Sequence, residues 1–406
     1  MASPVPVLPQ PFRKEFAAAP YVAYRRLIEA GPIHQLEVAP GLLAWVVCGY
    51  EESRALLIDR RLSIEPASTT SEVRGVLLSL ATEEKQSLYG RHLLATDPPD
   101  HTRMRKVMSA ALTARRLRSL ETRVQEITDT LLNDLADRER ADLLTDFALP
   151  LTILVLVELI GLPADGALLF GDLGLQVLRG DAEHDDVFLQ VIQSLAAYLG
   201  DLIADPQAVS PDGLMALLLA AERRMEISTD ELNSLLFQLF FAGHESTGYF
   251  IANAIATLLQ HPTELARLRQ NPDLIDGALE ELLRFEGSVK SATWRFPTEP
   301  IEVAGALIPA GDPVLVLFGA ANRDPRQFDH PDRLDLGRAS TGHLSFGHGA
   351  HHCLGHALGR MEAKIAVLSL FSRFPDVQLN GPYEELPWRH NMVMRGMSRL
   401  PVVLSR

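Results

Sequence analysis

From about residue 100 to 285, apolar side chains recur every three to four positions with few β-branched alternations, a spacing that predicts one helix after another. Ser228-Thr229-Asp230-Glu231 has the form of a capping box and His261-Pro262 is a stop, so a long helix is predicted over roughly 229–260. A helix of that length crosses the core of a globular protein. Its middle reads Leu239-Phe240-Phe241-Ala242-Gly243-His244-Glu245-Ser246-Thr247. After about 288 the pattern changes: Ile301-Glu302-Val303 and Pro313-Val314-Leu315-Val316-Leu317 predict short strands, joined through Gly305 and Gly311-Asp312. Residues 321–345 predict an ordered loop, a last helix runs from Cys353 to about Phe374, and strand-like pieces return near 392–404. The predicted class is mainly α with small β-sheets (α+β), helix-rich over about 100–285 and 353–374 and sheet-rich over about 35–50, 288–320 and 376–404. No linker tract or internal repeat divides the chain, so residues 1–406 are expected to form a single domain.

Composition narrows the function. With 47% hydrophobic residues and a net charge of -14, the chain can bury a large core and lacks the basic excess that binding nucleic acid requires. Met1 to Val7 shows no basic start or apolar core of a signal peptide, and the apolar run from Phe147 to Leu162 is interrupted by Pro150 and Glu158. A cytoplasmic protein without a membrane span is expected. Only two cysteines exist, Cys48 and Cys353, so neither a disulfide framework nor a multi-cysteine zinc site can be built. Cys48, in Trp45-Val46-Val47-Cys48, reads as a small buried hydrophobe. Cys353 differs. It lies in Phe346-Gly347-His348-Gly349-Ala350-His351-His352-Cys353-Leu354-Gly355, where glycines let the backbone approach something flat and bulky. A lone thiol there suits one axial position of a haem iron, with the other side left for oxygen, and the start of the following helix would favour the thiolate.

Further groups acquire meaning only together. Glu245, Ser246 and Thr247 follow Ala242-Gly243 in an otherwise apolar helix, which suggests an opening for a small ligand with a proton path beside it. The spacing equally permits a hydroxyl bonded to the carbonyl one turn earlier and an exposed glutamate. Glu281 and Arg284 share a helix face, as do His101 and Arg105 after Asp97-Pro98-Pro99-Asp100. Arg295 and His351 are further donors able to grip a carboxylate.

In this order the pieces resemble the cytochrome P450 family, specifically its soluble bacterial members, over nearly the whole chain from about residue 20. The Phe346–Gly355 run is similar to the family's haem loop, Ala242 to Thr247 to its oxygen groove, Glu281 with Arg284 to its Glu-x-x-Arg pair, and Asn322-Arg323-Asp324 through Arg333 to its meander. The resemblance implies a haem b monooxygenase with Cys353 as the metal ligand. It places His101, Arg105, Arg295 and His351 on the haem propionates, and Ala242, Gly243, Phe346, Gly347 and Gly355 against the haem. Glu245, Ser246 and Thr247 would be catalytic. Glu281 and Arg284 would form a structural pair, closed through Arg333. Ser246 stands where the family usually has threonine, so proton delivery would be either less tightly organised or shared with Thr247.

The same resemblance places a bulky hydrophobic substrate, such as a macrolide or other secondary metabolite, against Leu93, Leu94, Leu239, Ala242, Gly243, Val289, Ala292, Thr293, Met392 and Val393. The stretch 64–94, with Ser68-Thr69-Thr70-Ser71, would act as a mobile gate. Hydroxylation or epoxidation with O2 is the implied reaction, with electrons from NAD(P)H through a ferredoxin reductase and a ferredoxin docked near Arg115, Arg116, Arg360 and Lys364. Oxidative aromatic coupling, peroxide-driven oxidation or non-catalytic gas binding are the competing readings. A monomer with no nucleic-acid or membrane partner is expected.

Overall fold

The computed structural model describes residues 8–79, 92–163, 166, 169, 185–205, 207–339 and 342–404. Helices dominate, and seven position the site: α1 (Tyr21–Ala30), α2 (Asp100–Ser109), α3 (Ala114–Leu135), α4 (Leu149–Ile160), α5 (Thr229–Gln260), α6 (Ile275–Glu286) and α7 (His356–Arg373). The long central helix has the bounds its sequence signals predict. Ser228 Oγ accepts from the Glu231 amide at 3.1 Å while the Glu231 carboxylate accepts from the Ser228 amide at 2.9 Å, so both halves of the capping box form.

α4 is the apolar run noted above. It is hydrophobic on nearly every side and is accordingly buried, packed along α5. Gly243 and Gly248 allow this approach: a Cβ on Gly243 would stand 3.1 Å from Leu156, and one on Gly248 would stand 2.7 Å from Leu149. Gly243, expected to leave an opening for a small ligand, lines the cavity and in addition admits α4. Among the described residues no helix is long and apolar enough to cross a membrane.

The sheets are small. β1 (Ile33–Ala39) pairs antiparallel with β2 (Leu42–Val47), which pairs parallel with β8 (Val314–Val316), in the register Leu36 to Ala44 and Val46 to Leu315. β3 (Leu62–Ser63) pairs with β5 (Phe296–Pro297), and β6 (Ile301–Val303) with β7 (Ala306–Ile308). The second three-stranded sheet joins β4 (Arg140–Asp142), β10 (Pro401–Val403) and β9 (Gln378–Leu379). The strand-like reading of 392–404 therefore holds only at its end. Residues near 392–397 make isolated bridges instead, Val289 to Met394 and Trp388 to Met397.

The gate reading of Ser68 to Ser71 also changes. Thr69 is buried and its hydroxyl donates to the Gly311 carbonyl at 2.6 Å, which ties this stretch to the β7–β8 turn. Residues 80–91 of the supposed gate lie outside the described residues.

Candidate active site

One cavity of about 350 Å³ lies between the Cys353 loop and the middle of α5. Its floor is the run from Phe346 to Gly355. Gly347 and Gly349 take φ of +70° and +76°, which glycine alone adopts without strain. A Cβ on Gly349 would also stand 2.8 Å from Ile58 Cγ2 and 2.9 Å from the Leu57 carbonyl oxygen. The Cys353 amide donates to the Phe346 carbonyl at 2.8 Å, closing the loop one turn before α7 begins. The thiol is exposed towards the cavity and otherwise enclosed by protein. Burial pushes its pKa up, while the Gly355 amide and the charges of Arg105 and Arg360 pull it down. Gly355 has no heavy atom within 4 Å of where a Cβ would be, so the loop surface beside the thiol is open.

At one edge of the cavity four nitrogen-bearing side chains converge. His101 and His351 have ring centroids 4.1 Å apart, and both line the cavity with Arg105 and Arg295. His101 Nε2 is buried with no hydrogen-bond partner. Arg295 is 5% exposed, and its guanidinium donates to neutral oxygens, Thr293 Oγ1 at 2.9 Å and the Trp294 carbonyl at 3.3 Å. Burial, offset in part by the Asp97 charge, pulls its pKa to about 10. His351 is driven to about 3 by burial and by the charges of Arg295, His101 and Arg105. Asp97 lies near, but its carboxylate already accepts from Ser63 Oγ and the Ile64 amide. A buried cluster of donors and cations facing a cavity without a committed acid is complementary to an anionic ligand. A flat group carrying two carboxylates and a thiolate-seeking metal, which is haem, fits this donor set and the glycine-floored cavity.

The opposite wall is α5. Ala242, Gly243, Ser246 and Thr247 line the cavity. Ser246 Oγ donates to the Ala242 carbonyl at 2.8 Å, the back-bonded arrangement that its helical position allows. Thr247 stands between the cavity and α7: a Cβ on Gly359 would be 3.4 Å from its Oγ1. Glu245 is not among the cavity-lining side chains. It points instead towards His244 and Tyr249, whose phenol burial and the Glu245 charge push well up. The expectation of an acid at the cavity surface beside the two hydroxyls is corrected accordingly: residue 245 lies one turn before 249 and about 100° around the helix from the cavity-lining Ser246.

The apolar remainder of the wall follows the sequence reading with one shift. Leu93, Leu94, Leu239, Val289, Ala292, Thr293 and Val393 line the cavity, but Met392 does not. Its carbonyl accepts from Ser291 Oγ at 2.9 Å and its side chain packs in the cluster around Trp294, while the bridge of Val289 to Met394 turns Met394 inward.

Among the lining residues that went unread in the sequence, three polar ones matter most. Gln238 Oε1 accepts the Leu93 amide at 3.0 Å and holds the wall segments together. Thr152 Oγ1 donates to the His244 carbonyl at 3.1 Å, the polar contact that joins α4 to the middle of α5. Glu362 is 2% exposed, one of its oxygens has no partner, and burial raises its pKa well above the carboxylate range. A hydrophobic-polar pattern marks the first two as ordinary helix-surface residues, and nothing nearby in sequence flags the third.

Outside the cavity, Glu281 and Arg284 form a bidentate pair at 2.7 and 2.9 Å, both about 1% exposed. Arg284 also donates to the carbonyls of Asn322 and Pro331 at 2.9 Å, and the Asp335 amide donates to Glu281 at 3.0 Å. The third charged partner is Arg338, with Nε 3.0 Å from Glu281, whereas Arg333 offers only its carbonyl. Arg360 and Lys364 are likewise engaged. Arg360 makes a two-pronged pair with Glu280 at 2.5 and 2.8 Å and lies 4.3 Å from the Phe346 ring centroid, and Lys364 reaches Asp276 at 2.8 Å. Of the four basic residues expected to receive a redox partner, Arg115 is exposed and Arg116 half-buried, with no acid paired to either among the described residues.

A helical fold with a single thiol presented to a cavity, opposite a back-bonded hydroxyl helix and beside a cluster able to grip carboxylates, defines a haem-thiolate protein. The Cytochrome P450 sequence profile matches residues 183–381. The chain is 40% identical over 396 residues to "Cytochrome P450 107B1" of Saccharopolyspora erythraea, covering 96% of each chain. It is 35% identical to the same organism's 6-deoxyerythronolide B hydroxylase, covering 95% of this chain and 96% of that one. The solved structure of the Bacillus subtilis bacillaene polyketide synthase cytochrome P450 PksS superposes with a TM-score of 0.87 at 32% identity, over 98% of this chain and 99% of that one. The chain belongs to the cytochrome P450 family and is a monooxygenase of the oxidoreductase class.

Proposed function

We propose that this monooxygenase inserts one oxygen atom from O2, by hydroxylation or epoxidation, into a bulky hydrophobic small molecule of the macrolide or other polyketide kind. The observation that carries the reading is the 350 Å³ cavity, whose walls above the Cys353 thiol are leucine, valine and phenylalanine side chains with two hydroxyls as the main polar groups of the facing helix. A hydroxylase and a polyketide-synthase P450 among its relatives point to the same substrate class. An apolar pocket with few polar groups orients a lipophilic ligand by shape.

In this reading Cys353 would hold the metal, and His101, Arg105, Arg295 and His351 would hold the two carboxylates. Phe346, Gly347 and Gly355 from the loop, and Ala242 and Gly243 from α5, would pack against the group. The chemistry that a thiolate-ligated haem supplies is the reductive activation of O2, favoured by electron donation from sulfur. Ser246 rests with its proton on the Ala242 carbonyl. Rotation about χ1, unhindered by a β-methyl, presents that proton to the cavity. Thr247, at the α5–α7 seam, holds the second hydroxyl. Electrons come from NAD(P)H through a reductase and a ferredoxin docked over Arg115 and Arg116, because Arg360 and Lys364 are taken by Glu280 and Asp276. The chain works as a monomeric single domain in the cytoplasm.

The test is a ligand screen on the haem-loaded protein, reading the low-to-high-spin shift, followed by turnover with NAD(P)H, ferredoxin and reductase. Polyketide lactones should shift the spin state and yield a product heavier by one oxygen atom. A shift confined to small polar compounds, or turnover giving coupled dimers, would contradict the assignment.

A further inference from the structure

Several side-chain donors in the wall of the Cys353 cavity are spent on protein carbonyls. Ser246 Oγ donates to Ala242 at 2.8 Å, Thr152 Oγ1 to His244 at 3.1 Å and Ser291 Oγ to Met392 at 2.9 Å. The hydroxyls of Thr247 and Ser288 are free among the described residues, but a hydroxyl donates or accepts as its partner requires.

Gln238 offers something different. Its Oε1 accepts the Leu93 amide at 3.0 Å, and because that partner is an N–H, the hydrogen bond itself settles which end of the carboxamide is oxygen. The other end is Nε2, which carries two N–H donors and has no partner among the described residues. Nε2 is not sealed in protein: the side chain is half-buried, and this nitrogen is not one of the enclosed unpaired atoms. Gln238, Ala242 and Ser246 recur every four residues, share a face of α5 and all line the cavity. Leu93 and Leu94 line it from the far side of the Gln238 hydrogen bond. The carboxamide is thus fixed where two lining segments meet, about 12 Å along the helix axis from Ser246.

We propose that Gln238 is a specificity-determining residue, which donates a hydrogen bond to a ketone or lactone carbonyl of the substrate and so sets which carbon reaches the Ser246 end of the cavity. The inference rests on the substrate reading above and adds the acceptor that the hydrophobic molecule must carry. Around Gln238 the lining side chains of Leu93, Leu94, Leu239 and Phe241 are apolar. A hydrocarbon filling this space strips water from the N–H groups without replacing the hydrogen bonds, which counts against it. A carbonyl oxygen meets the donor and brings no proton that needs an acceptor in return. A carboxylate does worse, since a neutral amide in an apolar wall does not offset the desolvation of a charge.

Cyclopentadecanone and cyclopentadecane, macrocycles that differ by one carbonyl, test this on the haem-loaded protein through the low-to-high-spin shift. Gln238→Met removes both ends of the carboxamide at similar length. Gln238→Glu, read at pH 8 to favour the ionised form, keeps an acceptor for the Leu93 amide and has no proton to donate. In both variants the preference for ketone over hydrocarbon, taken as the ratio of their Kd values, should fall about 3- to 10-fold from that of the parent. Turnover of the ketone should place oxygen on ring carbons remote from the carbonyl in the parent, and spread it around the ring in the variants. A preference and product pattern unchanged in both variants would overturn the proposal. Equal weakening of both probes would overturn it too, leaving Gln238 as a tie for Leu93 alone. Either result with cyclopentadecane still bound leaves the hydrophobic-substrate reading standing, whereas a parent that binds neither probe would contradict that reading and this inference with it.

Discussion

On the Cys353 side of the cavity the backbone is fixed residue by residue: two glycines at positive φ, one of them with no room for a Cβ, and an amide bond from Cys353 back to Phe346. On the α5 side the backbone is an ordinary helix, and the functional groups are two small hydroxyls, of which Ser246 has a resting bond that a neighbouring rotamer can replace. The ligand side is thus specified by geometry that few sequences satisfy, and the oxygen side by chemistry that several could supply. Substitutions should cost stability or haem retention on the first side, and coupling on the second.

The largest effect should come from the ion pairs that anchor α6 to residues 322–338, ahead of the Cys353 loop. Glu281→Gln leaves Arg284 and Arg338 without their shared carboxylate, and should cost about 3–5 kcal/mol in denaturant unfolding. Arg295→Leu should separate binding from folding. Removing one charge-assisted contact to a carboxylate, worth about 1.5–3 kcal/mol, should speed haem loss about 10- to 100-fold in a transfer assay. The haem-free protein should be no less stable, since its buried guanidinium has no acid partner. Gly349→Ala forces a side chain into Leu57 and Ile58 at positive φ, and should cost about 1–3 kcal/mol of thermal stability.

A pH series sharpens the ligand side further. Burial pushes the Glu280 carboxyl up, but hydrogen bonds from Arg360 and His343 outweigh it and hold its pKa near about 2, below the ordinary 4.5. A depressed folded-state pKa stabilises above the unfolded value and loses that contribution as pH falls from 4.5 towards 2. Glu280→Gln should therefore lower stability at pH 7 by about 1–2 kcal/mol and flatten the acid limb of the curve. An acid limb of unchanged steepness would remove Glu280 from the account. The smallest stability effect belongs to the other side. Ser246→Ala should leave the unfolding free energy within about 0.5 kcal/mol of the parent, yet raise the peroxide released per NAD(P)H consumed. Unchanged coupling would assign proton delivery to Thr247 alone.

This division also explains what was legible beforehand. The Cys353 loop and the ends of α5 could be read because glycine spacing and a capping box are local signals. The α+β class followed from periodicity for the same reason. Pairings across long sequence gaps could not be read locally. Whether Glu281 closes on Arg333 or Arg338 depends on how residues 329–338 turn back, which is set by Arg338 donating to the Asp329 carbonyl at 2.7 Å. Met394, rather than Met392, lines the cavity where an isolated bridge pairs it with Val289, a contact no local pattern announces. Arg360 reads as a surface cation until Glu280, on another helix, is found beside it. Glu245 shows the limit within one helix: its identity suggested an acid for the site, but the helical turn carries it to Tyr249.

The central claim is that Cys353, and not one of the histidines at positions 348, 351 or 352, provides the metal ligand. The optical spectrum of the reduced carbon monoxide complex tests it directly. The account predicts the strongly red-shifted Soret band of thiolate ligation in the parent protein, lost in Cys353→Ser while haem is retained. A histidine-type Soret position in freshly prepared parent protein, or a red-shifted band surviving in Cys353→Ser, would contradict it.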